Sequence, residues 1–569
     1  MKYITSHLFC LLFFLNGYSQ ESYPQNYFQA PMQGNILLSG TFGELRGNHF
    51  HAGIDIKTFQ KVGLPVLAAA SGYVSRIKVS PYGYGRALYV QHPNGYTTVY
   101  AHLQKFNPQL ESYLKEEQYR LRKNSLNLYP QAGKIKVNQG DTIAFAGNSG
   151  GSGAPHLHFE IRNAQSKALN PLFFGFTIED TRKPVLRELA AYTYRKQELV
   201  GFKKHRLVEI KDGAYHLAGD GSLLFYGQPA FAIRAYDQLN GASNPNGYYL
   251  TRLSVNDSVA FEFRAQKLAF AETRYLNSHI DYAQYACCGK KFARLFTLPN
   301  NRFSEYARTN PLENMQWQPD STYHIATEVE DYAGNKATLT FKAHIKPFAS
   351  EATAGSSTEI PLFQYATKNS YRDENLAVHL PKGALYENFY FETQQEPPCG
   401  KCLGMVYKVA SRQIPVHRYY NLKLKLPPLN DLNPKKIGIV ALDEKGAVAD
   451  FVGGRVEGTT INTQVRRFGT FAIMADTVPP TLTAQNFRNG QKLTVMDELY
   501  FKVKDNLSDI AHYSAYWNDE WMRLYYDYKN ERLIFKAADI FSERGSHTLT
   551  LKVRDGRGNS TVKSYRLQW

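Results

Sequence analysis

Residues 147–161 read GNSGGSGAPHLHFEI: seven small or turn-forming residues, then a compact run carrying two imidazoles. In an extended strand alternate side chains share a face. His156 and His158 would then point to one side, and Leu157 and Phe159 to the other. Such a segment needs a sheet around it, and the neighbouring sequence supplies one. GYVSRIKVS (72–80), RALYVQHPNGYTTVYAHL (86–103) and KIKVNQGDTIAFAGNSG (134–150) are short alternating runs separated by glycine turns. Asn94-Gly95 inside the second run is a hairpin signal, and His92 is read as a turn residue beside it. Abundant aromatics, 40 Tyr and 34 Phe, also favour strands. One segment breaks the pattern. Residues 108–128, PQLESYLKEEQYRLRKNSLNL, carry leucines at helical spacing among charges, so a helical insertion is expected there.

At about 100–200 residues per domain, 569 residues imply several domains. Beyond residue 175 the sequence echoes itself. Asp180 to Leu186 and Asp476 to Leu482 both read D-T-x-x-P-x-L. Val329 to Asn335 and Val553 to Asn559 both read V-x-D-x-x-G-N. The order is the same, and a repeated unit changes the domain count. We expect two related immunoglobulin-like β-sandwiches, the first enlarged by an insertion at 265–320, with D-x-x-G-N as the turn before the last strand. The expected division is 1–20 leader, 21–175 first domain, 176–347 β domain with insertion, 348–476 linker and a β domain of uncertain type, and 477–569 a final β domain. The fold class is mainly β.

LFCLLFFL (8–15) follows Lys2. It falls well short of the ~20 residues that span a bilayer and suits the apolar part of an export signal. No later run is long enough to span, so the chain is expected to be exported, to the periplasm, the cell envelope or the medium. Four cysteines follow the leader: Cys287, Cys288, Cys399 and Cys402. In an oxidising compartment they are disulfide candidates. Adjacent Cys287 and Cys288 are poor partners for each other, and pairing is not legible from spacing. The formal charge of +17 fits attraction to an anionic envelope surface. No nucleic-acid-binding motif accompanies it.

HExxH and a phosphate loop are both absent. The chemistry-bearing groups are HFHAGID (49–55), YAHL (100–103) and HLH (156–158). A hydrolytic zinc site needs about three imidazole or carboxylate ligands, an open position, and a proton-transfer group nearby. His51 and Asp55, four apart, share a face of a strand; His156 and His158 share another. His102 ends a strand-like run and can face them from a neighbouring strand. His49 is read as a structural neighbour.

Together HAGID, YAHL and GNSGGSGAPHLHFEI resemble the lysostaphin/LytM-type zinc endopeptidases, which cleave peptidoglycan cross-bridges. The resemblance covers about residues 30–175, and LPVLAAASGYV (64–74) extends it. It implies an antiparallel-sheet peptidase domain holding one zinc ion on His51, Asp55 and His158. His102 and His156 would be the catalytic histidines, and the substrate a peptidoglycan peptide. Asn148, Ser149, Ser152 and Tyr100 are candidates for the substrate groove, and the glycines of 147–153 for close approach of substrate backbone. The helical insertion, lying between His102 and His156, is expected to cover that groove. The β domains could bind an envelope protein partner. Two other functions compete: a non-catalytic LytM-like regulator that uses the same groove, and an envelope binding protein.

Overall fold

The computed structural model describes residues 23–196, 198–347 and 360–569. The expected leader and most of the polar linker after residue 347 lie outside the described residues. Among the described residues, no helix is long and apolar enough to cross a membrane.

The N-terminal unit contains β1 (Leu38–Gly40), β2 (Ile54–Lys57), β3 (Pro65–Leu67), β4 (Gly72–Val79), β5 (Arg86–Gln91), β6 (Thr97–Ala101), β7 (Leu103–Phe106), α1 (Pro108–Leu121), β8 (Leu126–Leu128), β9 (Lys136–Val137), β10 (Thr142–Ala146), β11 (His156–Arg162) and β12 (Ala168–Leu169). The main sheet runs β1-β2-β11-β6-β5-β4-β8, and β3-β10-β7 forms a second. All these pairings are antiparallel. The Asn94-Gly95 hairpin joins β5 to β6, with Gly95 at φ +86°. His92 at its start is buried, bonded to the Ser71 carbonyl at 3.0 Å and to Thr98 Oγ1 at 2.8 Å; it is a core residue beside the turn.

β11 runs between β2 and β6. His158 lies opposite Asp55 on one side and Ala101 on the other. Leu157, Phe159 and Ile161 are fully buried in the core, against Ile54, Tyr100 and Leu103. That burial fixes the register, because a one-residue slip would turn these three outward. His156, His158 and Glu160 therefore share the opposite face.

The expected helix forms over 108–121, and 126–128 returns to the sheet as β8. Asn107 caps α1, accepting from the Leu110 N–H, with Pro108 at the first position. Leu110 and Leu114 enter the core of the N-terminal unit. The opposite side faces the C-terminal unit, where Tyr119 meets Trp521 at 5.4 Å and Phe541 at 5.5 Å between ring centroids. The helix is thus a bracket between two units, and its contacts are with their cores, in place of the cover over the groove that its sequence position suggests.

Residues 185–345 form an 11-stranded sheet, mixed because Ser222–Phe225 and Ala214–Leu217 pair in parallel with Lys336–Ile345. Residues 361–476 hold two five-stranded sheets around a core that includes Val378, Leu422 and Ile439. Residues 481–568 form two four-stranded antiparallel sheets packed through Phe501, Trp517 and Phe535. Both D-x-x-G-N elements are turns before a last strand, with Gly334 at φ +89° and Gly558 at +78°. The insertion at 265–320 carries short helices at Leu276–His279 and Tyr282–Cys288. Cys287 and Cys288 are joined to each other, and Cys399 is joined to Cys402. The adjacent pair corrects the sequence expectation: it sits at an exposed helix end, where Gly289 turns the chain in the left-handed conformation, while Cys399 and Cys402 are taken up by each other.

Candidate metal centre

His51 lies just before β2, in a loop closed by two backbone bonds, Gly43 N–H to the His51 carbonyl and His51 N–H to the Glu44 carbonyl. Its neighbour Phe50 is buried and stacks against both Phe263 and Phe303, at 5.7 and 5.1 Å. The insertion of the second unit therefore anchors the loop that carries His51. Gly53 permits the close pass of β2 beside β11, since a Cβ there would stand 2.3 Å from the Phe159 carbonyl oxygen.

His51, Asp55 and His158 converge, and all three are buried. His51 Nε2 is 3.0 Å from Asp55 Oδ1 and 3.0 Å from His158 Nδ1, and His158 Nδ1 is 2.9 Å from Asp55 Oδ1. The other nitrogen of each ring has a partner that fixes its tautomer. His51 Nδ1 meets the Thr41 carbonyl at 2.7 Å, and His158 Nε2 meets Glu160 Oε1 at 2.8 Å. Both partners only accept, so each neutral ring places its N–H there. The three converging atoms are then all lone-pair acceptors, with no hydrogen to share. That arrangement fits a small divalent cation with N and O ligands, and the outward N–H to carbonyl or carboxylate is the usual support of a ligating histidine. The electrostatics agree. Burial works against a charge on His158, yet its contacts with Asp55 and Glu160 outweigh burial and raise its pKa to about 9. Despite its own burial, the surrounding histidines hold Asp55 well below the usual carboxylate range. The site demands positive charge.

Two more imidazoles stand beside the trio. His102 follows β6 with φ +60°, and its ring centroid is 4.8 Å from that of His156 and 5.8 Å from that of His158. His102 Nδ1 faces the Ser149 carbonyl at 2.9 Å, and His156 Nδ1 faces the Ala154 carbonyl at 2.8 Å. Each N–H placed there leaves Nε2 as the second nitrogen of the ring, turned toward the trio. Burial, then the neighbouring His158 and His156, press the His102 pKa down to about 3, so this ring is neutral near pH 7. His156 Nε2 is 3.4 Å from Asp55 Oδ1.

The other sequence candidates divide. Ser149 is a brace: its Oγ donates to the Leu103 carbonyl at 2.7 Å and accepts from the Arg86 N–H. Ser152 Oγ donates to the Ala154 carbonyl at 2.7 Å and lies 3.2 Å from His156 Nδ1. Asn148 and Ser152 are held from the C-terminal unit, where Lys529 Nζ donates to the Asn148 carbonyl and, at 2.9 Å, to the Ser152 carbonyl. Tyr100 does not reach a groove. It is fully buried, and its hydroxyl accepts from the Ala69 N–H at 2.8 Å, because the two-residue period that lines up Tyr100 with Thr98 turns both into the core. The glycines also have another use. A Cβ on Gly150 would stand 2.3 Å from the Gly83 carbonyl oxygen, so the close approach there is to the chain's own backbone. His49 turns to the Gly47 carbonyl at 2.8 Å.

Sequence reasoning assigned no role to Glu160, Tyr84 or Arg46. Glu160 is wholly buried and accepts from His158, Tyr84 and Arg162. Burial alone would raise its pKa, but Arg162 and His158 bring it down to about 2. Its signal was legible, since Glu160 is two residues beyond His158. Tyr84 stacks on the His158 ring at 5.3 Å, and Arg46 binds the second oxygen of Asp55 at 2.8 Å; neither has a local signature. Glu160→Gln removes the charge that orients His158. Zinc affinity, read by competition with a chromophoric chelator, is expected to fall about 10–100-fold; an unchanged affinity would mean that His158 is oriented by packing alone.

Residues 49–119 match the family model described as Peptidase family M23, and residues 361–476 match the one described as Zu5-like domain. A Haemophilus influenzae protein named as an uncharacterized metalloprotease is 30% identical over 158 residues, 27% of this chain and 28% of that protein. The DD-carboxypeptidase/endopeptidase Mpg of Neisseria meningitidis serogroup B is 31% identical over 148 residues, 26% of this chain and 27% of that protein. The matched stretch thus spans under a third of the length of these relatives. Among solved structures, the catalytic domain of lysostaphin from Staphylococcus simulans is 24% identical, with a TM-score of 0.18, covering 24% of this chain and 90% of that chain.

Proposed function

We propose that this chain, which carries a peptidase family M23 domain, is a zinc-dependent endopeptidase that hydrolyses peptide cross-links of peptidoglycan. The observation that carries the reading is the donor set: three acceptor atoms within 3.0 Å of one another, flanked by two imidazoles held through Nδ1. His51, Asp55 and His158 would hold the ion, which when bound would supply Lewis-acid polarisation of the scissile carbonyl and acidify water. His156, the more exposed of the two flanking histidines, accepts the proton of the attacking water at Nε2 and delivers it to the departing amide nitrogen. His102, neutral and tethered through Nδ1 to Ser149, accepts a hydrogen bond from the same water and orients it. Neither ring in this tautomer can donate to a developing oxyanion before it has taken up a proton, which favours a role for both on the water side of the reaction. The relatives named as a metalloprotease and as a DD-carboxypeptidase/endopeptidase support peptide hydrolysis and a cell-wall substrate. The filled ligand set speaks for an enzyme over a non-catalytic regulator. The export expected from the leader would place it in the envelope, where the remaining β units are free to contact partners.

The test is direct. The zinc-loaded full chain, incubated with purified cross-linked muropeptides, is expected to release uncross-linked products that chromatography and mass spectrometry resolve. Full zinc occupancy with no cleavage of any cross-linked wall fragment would sink the enzyme reading.

A further inference from the structure

Two further carboxylate clusters lie outside the peptidase site, and they repeat each other. Asp180, Asp237 and Asp331 bring one oxygen each within 4.8 Å of one another, as do Asp476, Asp505 and Asp555. The first and third members belong to the two echoed motifs. The second members also correspond, in Asp237-Gln-Leu239 and Asp505-Asn-Leu507. Each trio is framed by the same asparagine. Asn335 Nδ2 donates to the Asp180 carbonyl at 3.2 Å and to Asp331 Oδ2 at 2.8 Å, and its N–H to Asp331 Oδ1 at 2.9 Å. Asn559 repeats this on the Asp476 carbonyl at 3.0 Å and on Asp555 Oδ2 and Oδ1 at 2.7 and 2.8 Å. The two constructions stand almost 300 residues apart in the chain.

Packing does not account for the charge. Asp237 is 2% exposed and Asp476 0%, yet Asp237 Oδ1, Asp476 Oδ2, Asp180 Oδ2 and Asp505 Oδ1 have no hydrogen-bond partner. A buried carboxylate oxygen without a partner is costly, and three facing carboxylates add mutual repulsion. The arginine two residues beyond one aspartate in each trio turns elsewhere. Arg182 donates to Gln238 Oε1 at 2.6 Å and to the Ala242 carbonyl at 3.3 Å, and Arg557 to the Gly454 carbonyl at 3.1 Å. At the first trio there is a cavity of about 20 Å³, lined by Thr41, Asp180, Asp237, Gly247 and Tyr248 among others, room for a single ion or water. All the ligating side chains are carboxylates, with no nitrogen or sulfur donor, which selects a hard cation.

We propose that each trio binds one Ca²⁺ ion, so that the two related β units carry equivalent calcium sites. At the first, the ion would tie together the chain entering the second unit, the end of strand Gln228–Tyr236 and the D-x-x-G-N turn. Thr41, on the wall of that cavity, also holds His51 through its carbonyl, so the ion would steady the backbone behind the peptidase centre.

The experiment is equilibrium dialysis of the zinc-loaded full chain against radioactive calcium up to about 5 mM, above the ~10⁻⁴–10⁻³ M range of extracellular calcium modules. Two calcium ions per chain are expected. Asp237→Asn and Asp505→Asn should each leave one, and the double variant none. In calcium-free buffer Asp237→Asn should unfold at the same temperature as the parent or higher, because it removes a carboxyl whose charge burial and the neighbouring Asp331 and Asp180 oppose. Calcium should raise the parent's unfolding temperature and leave that of the double variant unchanged. Fewer than one ion bound per chain, or unchanged stoichiometry in both single variants, would overturn the proposal. One ion lost only with Asp237→Asn, or only with Asp505→Asn, would overturn the equivalence of the two sites.

Discussion

His158→Ala is expected to abolish both zinc binding and peptide hydrolysis, whereas His156→Ala keeps the zinc and loses hydrolysis about 10²–10⁴-fold. The two residues sit two apart on one strand, and their surroundings divide the labour. His158 is pinned by Glu160 behind it and delivers Nδ1 into the trio. Removing it leaves His51 and Asp55, two of the three ligands a catalytic zinc site requires. His156 is pinned by the Ala154 carbonyl and keeps its second nitrogen beside the trio, the position of a general base, whose loss typically costs the range quoted. Metal content by atomic emission and turnover on cross-linked muropeptides, measured on the same preparations, separate the two. If His156→Ala loses metal in parallel with activity, the division fails and His156 is a ligand. His102→Ala should behave like His156→Ala.

Arg523→Ala should destabilise the C-terminal unit by about 3–5 kcal/mol, the usual cost of stripping one partner from a buried ion pair. Arg523 and Asp539 are both buried and joined by two bonds, Nε to Oδ2 at 3.0 Å and Nη2 to Oδ1 at 2.7 Å. Arg523 also donates to Gln118 of α1 at 3.1 Å, and Lys115 of α1 reaches Asp539 at 3.0 Å. The lesion therefore falls on the seam between the N-terminal unit and the last unit. Trp517, Trp521 and Trp569 are three of the four tryptophans, so guanidinium unfolding followed by their fluorescence reports on this unit. Replacing both members with apolar residues, Arg523→Met with Asp539→Leu, should recover part of the loss, because it removes the buried charge that Lys115 alone is left to balance. A midpoint unchanged in Arg523→Ala would show that the pair is solvated in solution.

Much of the site was legible from local periods. A strand repeats every two residues, so His156, His158 and Glu160 were bound to share a face once the segment was read as a strand. H-x-x-x-D brought His51 and Asp55 together for another reason than the shared strand face expected: only Asp55 lies in β2, and His51 reaches it from the loop before that strand. Tyr100, named as a groove candidate from the resemblance, is turned into the core by the strand's two-residue period. Alternation says which residues share a face, and only packing says which face is the core. The helix over 108–121 was readable from its leucines, but its docking partner was not, because Tyr119 meets residues some four hundred positions away.

The sequence by itself determined the candidate groups HAGID, YAHL and HLH, the strand that bears His156 and His158, and the repeated D-T-x-x-P and D-x-x-G-N motifs, each of which depends on spacing within a few residues. The tertiary structure alone decided which nitrogen of each histidine faces the trio, since the carbonyls of Thr41, Ser149 and Ala154 and the carboxylate of Glu160 choose the tautomers. It also decided that Lys529 holds the loop beside His156, and that three distant aspartates in each β unit meet. The physical reason is the same throughout. Local periodicity fixes direction, whereas tautomer, charge balance and contact across hundreds of residues depend on what the folded chain sets opposite.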